Sequence, residues 1–424
     1  MKKKLAWILV LAMVLSVFAI GCGPKEEASE GGEDVVKVGA LFPFTGSLAL
    51  LGEESFRGVE LAREEINKNG GIWGGKKIEF VKGDAVDAKA AVAEAERLIT
   101  VEGCKVIVGS YSSSIVQAAS EVAERNGVIY WETGGVAEAI TTRGFKNLFR
   151  VCPSSSEYGT VAVNYTNDEI APALNVSPKD LRIAIIYEDG VYGTSVSQAS
   201  KKRADELGLN IVACEAYSAK AADLSSLVMK LKNAKPDVIL ATQYATDLML
   251  FWRQARELGL KADAFIGTGG ATANTEFVDA IGIEDTNGVM DCAFGSTGSN
   301  PEYAKGMDHV YALYSEKYGK NPTSIYPVVG YVGGTLLWET LELAGEMDPA
   351  KIREAALSLD KPEGSTATGW GVKFAGPDEP NAGQNLRAGN ILDQWQDGEL
   401  VVLYPEKARK PGTKAIIPLP SWSK

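Results

Sequence analysis

The sequence predicts an α/β protein of two lobes, each a doubly wound parallel sheet with helices on both faces, joined by three crossovers of the chain. Short apolar, β-rich runs alternate with amphipathic stretches of helical spacing from residue 35 to about residue 290. This alternation is typical of a parallel sheet with crossover helices. A polar connection at residues 153–158 interrupts it, and the same order of elements restarts near residue 181, which indicates a second lobe.

The elements of the first lobe follow from their periodicity. Residues 36–42 form an apolar run of strand length, and apolar side chains then recur at the spacing of one helical face. Those side chains are Phe56, Val59, Ala62 and Ile66. A strand, a helix and a third strand are predicted next, at residues 77–82, 90–101 and 105–109. The strand predicted at residues 128–131 completes the pattern before the polar connection.

The second lobe repeats the turns of the first. The strand at residues 128–131 is followed by a Thr-Gly-Gly turn at residues 133–135, and the strand at residues 264–266 is followed by the same turn at residues 268–270. In open α/β sheets, ligands bind beyond the carboxyl ends of the strands. Two such edges that face each other would form a cleft.

The last part of the chain changes character. Helical patterns are predicted at residues 303–318, 327–344 and 349–357, and short strands follow with an Asp-Gly hairpin turn at Asp397. The chain is expected to cross between the lobes near residue 153, near residue 296 and between residues 374 and 392. The predicted lobes are therefore residues 35–153 with 296–374, and residues 154–295 with 375–424.

The N-terminus indicates export. A basic start precedes a short apolar run that ends before Gly21 and Cys22, and an acidic stretch follows. This pattern is typical of a signal peptide and not of a membrane span. We expect residues 1–21 to be a signal peptide, Cys22 to be lipidated, and residues 22–34 to be a flexible tether. The alternative is an ordinary secreted protein, since Ala19 stands where lipoprotein signals usually carry a branched aliphatic residue.

Composition argues against several other classes of protein. The net charge of -12 disfavours nucleic acid as a partner. The single histidine, His309, offers no catalytic constellation, and we expect neither an enzyme nor a cofactor or metal. The sequence Gly-x-x-x-x-Gly-Lys at residues 70–76 continues with Lys77 and precedes a strand, so it indicates a surface turn and not a phosphate loop. Four further cysteines are expected to be small buried hydrophobic residues. They are Cys104, Cys152, Cys214 and Cys292.

Several motifs, in this order and spacing, resemble one known family. They are Val-Gly-Ala-Leu-Phe-Pro-Phe-Thr-Gly at residues 38–46, Arg57-Gly58, Ile-Val-Gly at residues 107–109 ahead of a serine run, and Tyr192-Gly193. The chain resembles the branched-chain-amino-acid-binding (leucine/isoleucine/valine) family of type I periplasmic binding proteins. The resemblance implies the extracytoplasmic, lipid-anchored, substrate-binding subunit of an ABC importer, with a permease and its ATPase as partners. A ligand-sensing receptor module is the alternative.

The resemblance also implies ligand residues. The serine that holds the ligand carboxylate falls on Ser113, between Ser112 and Ser114 at a helix N-terminus, where unpaired N–H groups favour an anion. One of these serines is expected to cap the helix instead. Two aromatic walls of the pocket fall on Tyr192 and Tyr244.

Two positions of this sequence lack the residues with which the family holds the ligand's ammonium group. The Thr-Gly-Gly turn brings Gly134 to the site, but a threonine of the family falls on Val136 and its acidic residue falls on Gly269. A buried ammonium group without a partner is costly, so a carboxylate that lacks an α-amino group is expected as the ligand. Glu132 offers an alternative: turned inward, it would restore an amino-acid ligand, and otherwise it would be solvated at a strand end.

Overall fold

The computed structural model describes residues 35–422. The predicted signal peptide, Cys22 and the tether lie outside the described residues. Within the described part, no helix has the length and apolar character that a membrane crossing needs.

The first sheet is parallel throughout, as the alternation of strands and helices predicted. Its strands lie in the order β2-β1-β3-β4-β5. They are β1 (Val35–Phe42), β2 (Lys77–Asp84), β3 (Val106–Val108), β4 (Ile129–Glu132) and β5 (Leu148–Arg150). Successive side chains of a strand point to opposite faces, and both faces are covered: Val38 packs in one buried cluster and Leu41 in another.

Helices from two distant parts of the chain cover this sheet. The early ones are α1 (Ala49–Lys68), α2 (Ala88–Thr100) and α3 (Ser113–Arg125). The late ones are α10 (Met307–Tyr318), α11 (Tyr326–Ala344) and α12 (Pro349–Ser358). Helices α1 and α11 pack with their backbones in contact. Gly58 allows this close approach, since a Cβ atom at this position would lie 2.0 Å from the carbonyl oxygen of Pro327.

The second sheet contains seven strands in the order β12-β11-β10-β9-β8-β6-β7. Its strands are β6 (Arg182–Glu188), β7 (Asn210–Tyr217), β8 (Val238–Thr242), β9 (Ala264–Thr268), β10 (Met290–Ala293), β11 (Ile391–Gln396) and β12 (Glu399–Tyr404). The pairing is parallel except for β11, which lies antiparallel to both of its neighbours. The hairpin between β11 and β12 turns at Asp397, as predicted.

Six helices accompany the second sheet. They are α4 (Ser155–Tyr165), which continues through a π-helical turn (Thr166–Ile170) into Ala171–Ala173, and α5 (Val191–Leu207), α6 (Ser225–Ala234), α7 (Ala245–Glu257), α8 (Thr275–Ile281) and α9 (Ile283–Thr286). Short 3-10 turns lie at Glu138–Ile140 and Glu406–Ala408. The C-terminal segment completes the core of this lobe, since the ring of Trp422 stacks on Trp252 with centroids 4.3 Å apart and packs edge-on against Phe265.

The chain crosses between the two sheets three times. It leaves the first sheet after β5, returns after β10 to the helices that pack on α1, and enters β11 after a last crossing. Residues up to Asn385 still lie beside the first sheet, because Gln384 bridges to Arg150 and Asn385 to Phe374. The last crossing therefore falls between Asn385 and β11, whereas the division into lobes at residues 153, 295 and 374 stays a prediction.

The cysteines correct one expectation. Cys104, Cys152 and Cys292 are buried free thiols, but Cys214 is exposed. Cys214 lies on β7, which is the edge strand of the second sheet, so one side of that strand faces solvent. His309 lies on α10, and its Nε2 is 2.8 Å from a carboxylate oxygen of Glu65.

Candidate ligand-binding site

A small cavity lies where the carboxyl ends of the two sheets face each other. Its volume is about 10 Å³, which is room for about one water molecule. We call it the tyrosine cavity and define it by its lining residues. They are Tyr111, Ser113, Gly134, Val136, Tyr158, Tyr192, Tyr244, Gly269, Phe294 and Tyr326. None of these described lining residues carries a formal charge at neutral pH.

The serine run brings one hydroxyl group to the cavity. Ser113 lies at the start of α3, and its Oγ accepts hydrogen bonds from the backbone N–H groups of Val136 and Ala137 at 3.1 and 3.2 Å. Its own hydroxyl hydrogen remains available to donate. Ser112 is the N-cap residue, but its side chain makes no capping hydrogen bond; its Oγ lies 3.2 Å from the Tyr244 hydroxyl. Ser114 does not line the cavity. The expectation that one of these serines caps the helix is wrong for Ser112.

The two predicted tyrosines pack against each other in the wall of the cavity. The ring centroids of Tyr192 and Tyr244 are 5.4 Å apart, and Tyr111 lies 5.9 Å from Tyr244. The Tyr192 hydroxyl donates to the carbonyl oxygen of Thr268 at 2.8 Å. The cavity thus joins aromatic rings from both sheets.

Four aromatic lining residues were not predicted from the sequence. Tyr111 directly precedes the serine run, a position that could have signalled it. Tyr158 lies on α4, Phe294 directly follows β10, and Tyr326 begins α11, far along the chain. The hydroxyl of Tyr326 donates to the carbonyl oxygen of Gly269 at 2.7 Å. The buried hydroxyl of Tyr158 has no hydrogen-bond partner among the described residues.

The two positions that lack the family's ammonium-binding residues both line the cavity. Val136 presents an apolar side chain there. Gly269 has a φ of +78°, and a Cβ atom at this position would lie 2.4 Å from the Tyr192 hydroxyl oxygen. The Tyr192 hydroxyl thus occupies the space that a side chain at position 269 would need. An acidic residue does not fit there in this arrangement of the site.

Glu132 lies beneath the site and does not line the cavity. The side chain is fully buried, so the expectation that it is solvated at a strand end is wrong. One carboxylate oxygen accepts from the backbone N–H of Ser110 at 3.0 Å, and the other accepts from those of Gly134 and Gly135. Burial raises the pKa of Glu132 to about 8, against the opposing effect of these hydrogen bonds. Its carboxylate is used to hold two loops together, so it does not face a ligand ammonium group.

Known protein families share both the sequence and the fold of this chain. A family model described as periplasmic binding protein matches residues 35–386. Leu/Ile/Val-binding protein homolog 7 of Brucella abortus (strain 2308) is 42% identical over 396 residues, which are 93% of this chain and 96% of the relative. Homolog 8 from Brucella suis biovar 1 (strain 1330) is 42% identical over 373 residues, covering 88% of this chain and 91% of the relative.

Solved structures share the fold. A leucine binding protein, LivK, from Thermotoga maritima has a TM-score of 0.74 and 23% identity, covering 89% of this chain and 99% of its own. A solute binding protein from R. palustris, in complex with benzoate, has a TM-score of 0.72 and 20% identity, covering 90% of this chain and 99% of its own. At this level of identity the likeness establishes the fold alone.

Proposed function

The chain belongs to the periplasmic binding protein family, and from this premise we propose that its tyrosine cavity captures a small carboxylate that lacks an α-amino group. Its class is that of an extracytoplasmic substrate-binding subunit of an ABC importer, a class of binding proteins and not of enzymes. The ligand that such a subunit captures depends on the few polar groups that line its cleft.

The single observation that supports this ligand is the absence of an acidic side chain from the described lining of the tyrosine cavity. An α-amino acid would bring a buried ammonium group without a counter-charge, at a cost of several kcal/mol. Glu132 cannot supply the charge while its oxygens accept from three backbone N–H groups. An acid without the amino group avoids that cost.

The groups that would hold the carboxylate are donors. The Ser113 hydroxyl lies at the N-terminus of α3, where unpaired N–H groups and the helix dipole favour an anion. The hydroxyl of Tyr158 is a second donor at the wall. Aromatic rings surround the remaining space, which suits an apolar or aromatic body. The benzoate complex of the R. palustris protein makes benzoate a natural first probe.

The cavity is too small for such a ligand as it stands, so capture requires the lobes to move apart. We propose that they hinge at the three crossings and that both sheet edges contact the ligand only when the lobes close. We also propose two lobes that divide near residues 153 and 295, with the last division after Asn385. Ser112 and the Thr-Gly-Gly turns are proposed as parts of the cleft edge.

Titration calorimetry tests the ligand class. Benzoate or 4-methylpentanoate should bind more tightly than leucine, isoleucine and valine. Ser113→Ala should weaken that binding by about 1–3 kcal/mol, the range for a hydrogen bond to a charged group. Ser114→Ala is the matched control, because Ser114 does not line the cavity, and it should bind as the wild type does. Tight leucine binding without measurable binding of either acid would contradict the proposal and support an amino-acid ligand.

We propose that a permease with its ATPase receives the ligand, that the chain itself catalyses no reaction, and that Cys22 is lipidated. The basic and apolar start of the sequence supports the anchor. Stable membrane anchoring needs two acyl chains, or one chain with a second signal. We therefore expect the lipid on Cys22 to hold the protein at the membrane.

Fractionation of expressing cells tests the anchor. Cys22→Ser should release the protein from the membrane fraction in soluble form. Cys214→Ser is the control, since it removes an exposed thiol from the folded part of the chain and should leave the protein membrane-bound. Membrane association of the Cys22→Ser variant would refute lipid anchoring.

A further inference from the structure

Two buried carboxyl groups lie side by side in the second sheet. Asp291 on β10 and Asp393 on β11 are direct partners in the antiparallel register, which brings their side chains to within about 4.5–5.5 Å between Cβ atoms. Both are buried. In the part of the chain that the structure describes, no lysine or arginine forms an ion pair with either residue.

Asp291 holds one wall of the tyrosine cavity. One of its oxygens accepts from the backbone N–H of Gly270 at 2.9 Å, and the other accepts from the hydroxyl of Thr272. These residues follow Gly269, whose carbonyl oxygen accepts from Tyr326 in the cavity. A change in charge at Asp291 therefore acts next to the place where a ligand would lie.

Asp393 has little to stabilise a negative charge. Neither of its oxygens makes a hydrogen bond of good geometry, although the Ser296 hydroxyl lies near enough to offset part of the cost of burial. Burial, and then the charge of Asp291, raise the pKa of Asp393 well above its usual range. Burial also raises the pKa of Asp291 to about 7. Two adjacent buried carboxyl groups without a cation share one proton more readily than they ionise together.

The groups that face this pair are acidic or neutral. The thiol of Cys292 on the same strand feels both carboxyl groups as well as Glu157. The cavity hydroxyls that feel the charge of Asp291 are those of Tyr111, Tyr158, Tyr192 and Tyr326. Two further carboxyl groups, Glu188 and Asp247, act on Tyr111. An anion that enters the cavity thus adds negative charge next to the pair. None of the described lining residues is a cation, and the buried guanidinium of Arg150 donates to the carbonyl oxygen of Ala137 beside Val136.

We propose that the Asp291–Asp393 pair couples ligand capture to proton uptake: when a carboxylate enters the tyrosine cavity, the pair gains a proton. This inference rests on the proposed carboxylate ligand. The added negative charge makes ionisation of Asp291 less favourable, so the pair holds its proton more tightly in the complex. By linkage, the affinity for a carboxylate rises as the pH falls, by up to about tenfold for each unit of pKa shift.

Calorimetry with benzoate as the probe measures this coupling. Titrations at pH 7 in phosphate and in Tris, two buffers with different ionisation enthalpies, give the number of protons taken up. The wild type should take up part of one proton, and its affinity for benzoate should be about tenfold higher at pH 6 than at pH 8.5. Asp291→Asn, which removes the carboxyl group next to the cavity, should abolish most of the uptake and reduce the change in affinity to within about twofold. Asp378→Asn, at an exposed aspartate, should behave as the wild type does.

Binding without proton uptake by the wild type, or equal uptake by Asp291→Asn, would overturn the inference. The latter result would assign the proton to another raised carboxyl group, such as Asp247. Asp291→Ser, which also removes this carboxyl group, replaces the asparagine variant if that variant does not fold.

A failure of the proposed ligand gives a different result. If benzoate does not bind at any pH, the pair is still tested in the free protein. A raised pKa in the folded state contributes stability that is present at low pH and is lost as the pH rises through the folded value. The wild type should therefore lose more stability than Asp393→Asn between pH 5.5 and pH 8.5, and parallel curves would refute the shared proton.

Discussion

Replacing Glu132 by alanine should lower the free energy of unfolding by at least about 3 kcal/mol, because it leaves three buried backbone N–H groups without an acceptor. Each such group costs about 1–3 kcal/mol. The three groups belong to Ser110, Gly134 and Gly135, so the loss should loosen both loops at the cleft edge of the first sheet. Urea denaturation of the free protein measures the effect.

Two further variants, Glu132→Gln and Glu121→Ala, serve as comparisons for Glu132→Ala. Glu132→Gln keeps one acceptor oxygen and should destabilise less than the alanine variant. Glu121→Ala, at an exposed position on α3, should change stability by less than about 0.5 kcal/mol. Because burial raises the pKa of Glu132 to about 8, its contribution is largest at low pH and is lost as the pH rises through that value. The alanine variant should therefore differ more from the wild type at pH 6 than at pH 9, and equal stability of the two alanine variants would show that Glu132 does not hold the loops.

Gly58→Ala should destabilise the protein by more than the roughly 1–3 kcal/mol that is typical of overpacked sites. The added Cβ atom would lie 2.0 Å from the carbonyl oxygen of Pro327 and would also approach the backbone nitrogen of Tyr331. Backbone atoms of α11 cannot rotate away as a side chain can, so α1 and α11 must separate. The reciprocal contact, in which a Cβ atom on Gly330 would meet the carbonyl oxygen of Ser55 at 2.1 Å, limits any sliding of the two helices.

The matched control for this substitution is Gly389→Ala. A Cβ atom at Gly389 would meet no atom within 4 Å, so this variant should be close to neutral or slightly more stable. Thermal unfolding of both variants, with the far-ultraviolet circular dichroism of the folded state, measures the difference. An unchanged melting temperature for Gly58→Ala would show that the helices separate at little cost.

Periodicity in the sequence predicts most of this fold because the central strands of each sheet, such as β3 and β8, are fully buried apolar runs. The helix expected at residues 327–344 is α11 (Tyr326–Ala344), and the repeated Thr-Gly-Gly turns do lie at facing sheet edges. The exposure of Cys214 could not be predicted in this way, because whether β7 is an edge strand depends on the order of strands in space and not along the chain.

The candidate site residues were predicted from the resemblance to a known family, and their roles in binding stay predictions. Ser113, Val136 and Gly269 lie in the segments that follow β3, β4 and β9, and all three line the cavity. Tyr158 lies on α4 and Phe294 directly follows β10, but no local pattern distinguishes these cavity walls from ordinary packing residues. The position of Glu132 depends on loops that are distant in sequence, since its partners at Ser110 and Gly135 meet it only after β3 and β4 have paired.

The packing of Trp422 on Trp252 and the return of α11 to α1 also constrain how the chain is made. Domains generally fold as units, and N-terminal ones fold first during synthesis. Here the early helix α1 requires α11 as its packing partner, and the core of the second sheet requires residues at the very end of the described chain. The first core cannot close before the ribosome has made α11, and the second cannot close before it has made Trp422. We therefore expect the nascent chain to remain incompletely folded through most of its synthesis, which suits the export of an extracytoplasmic protein.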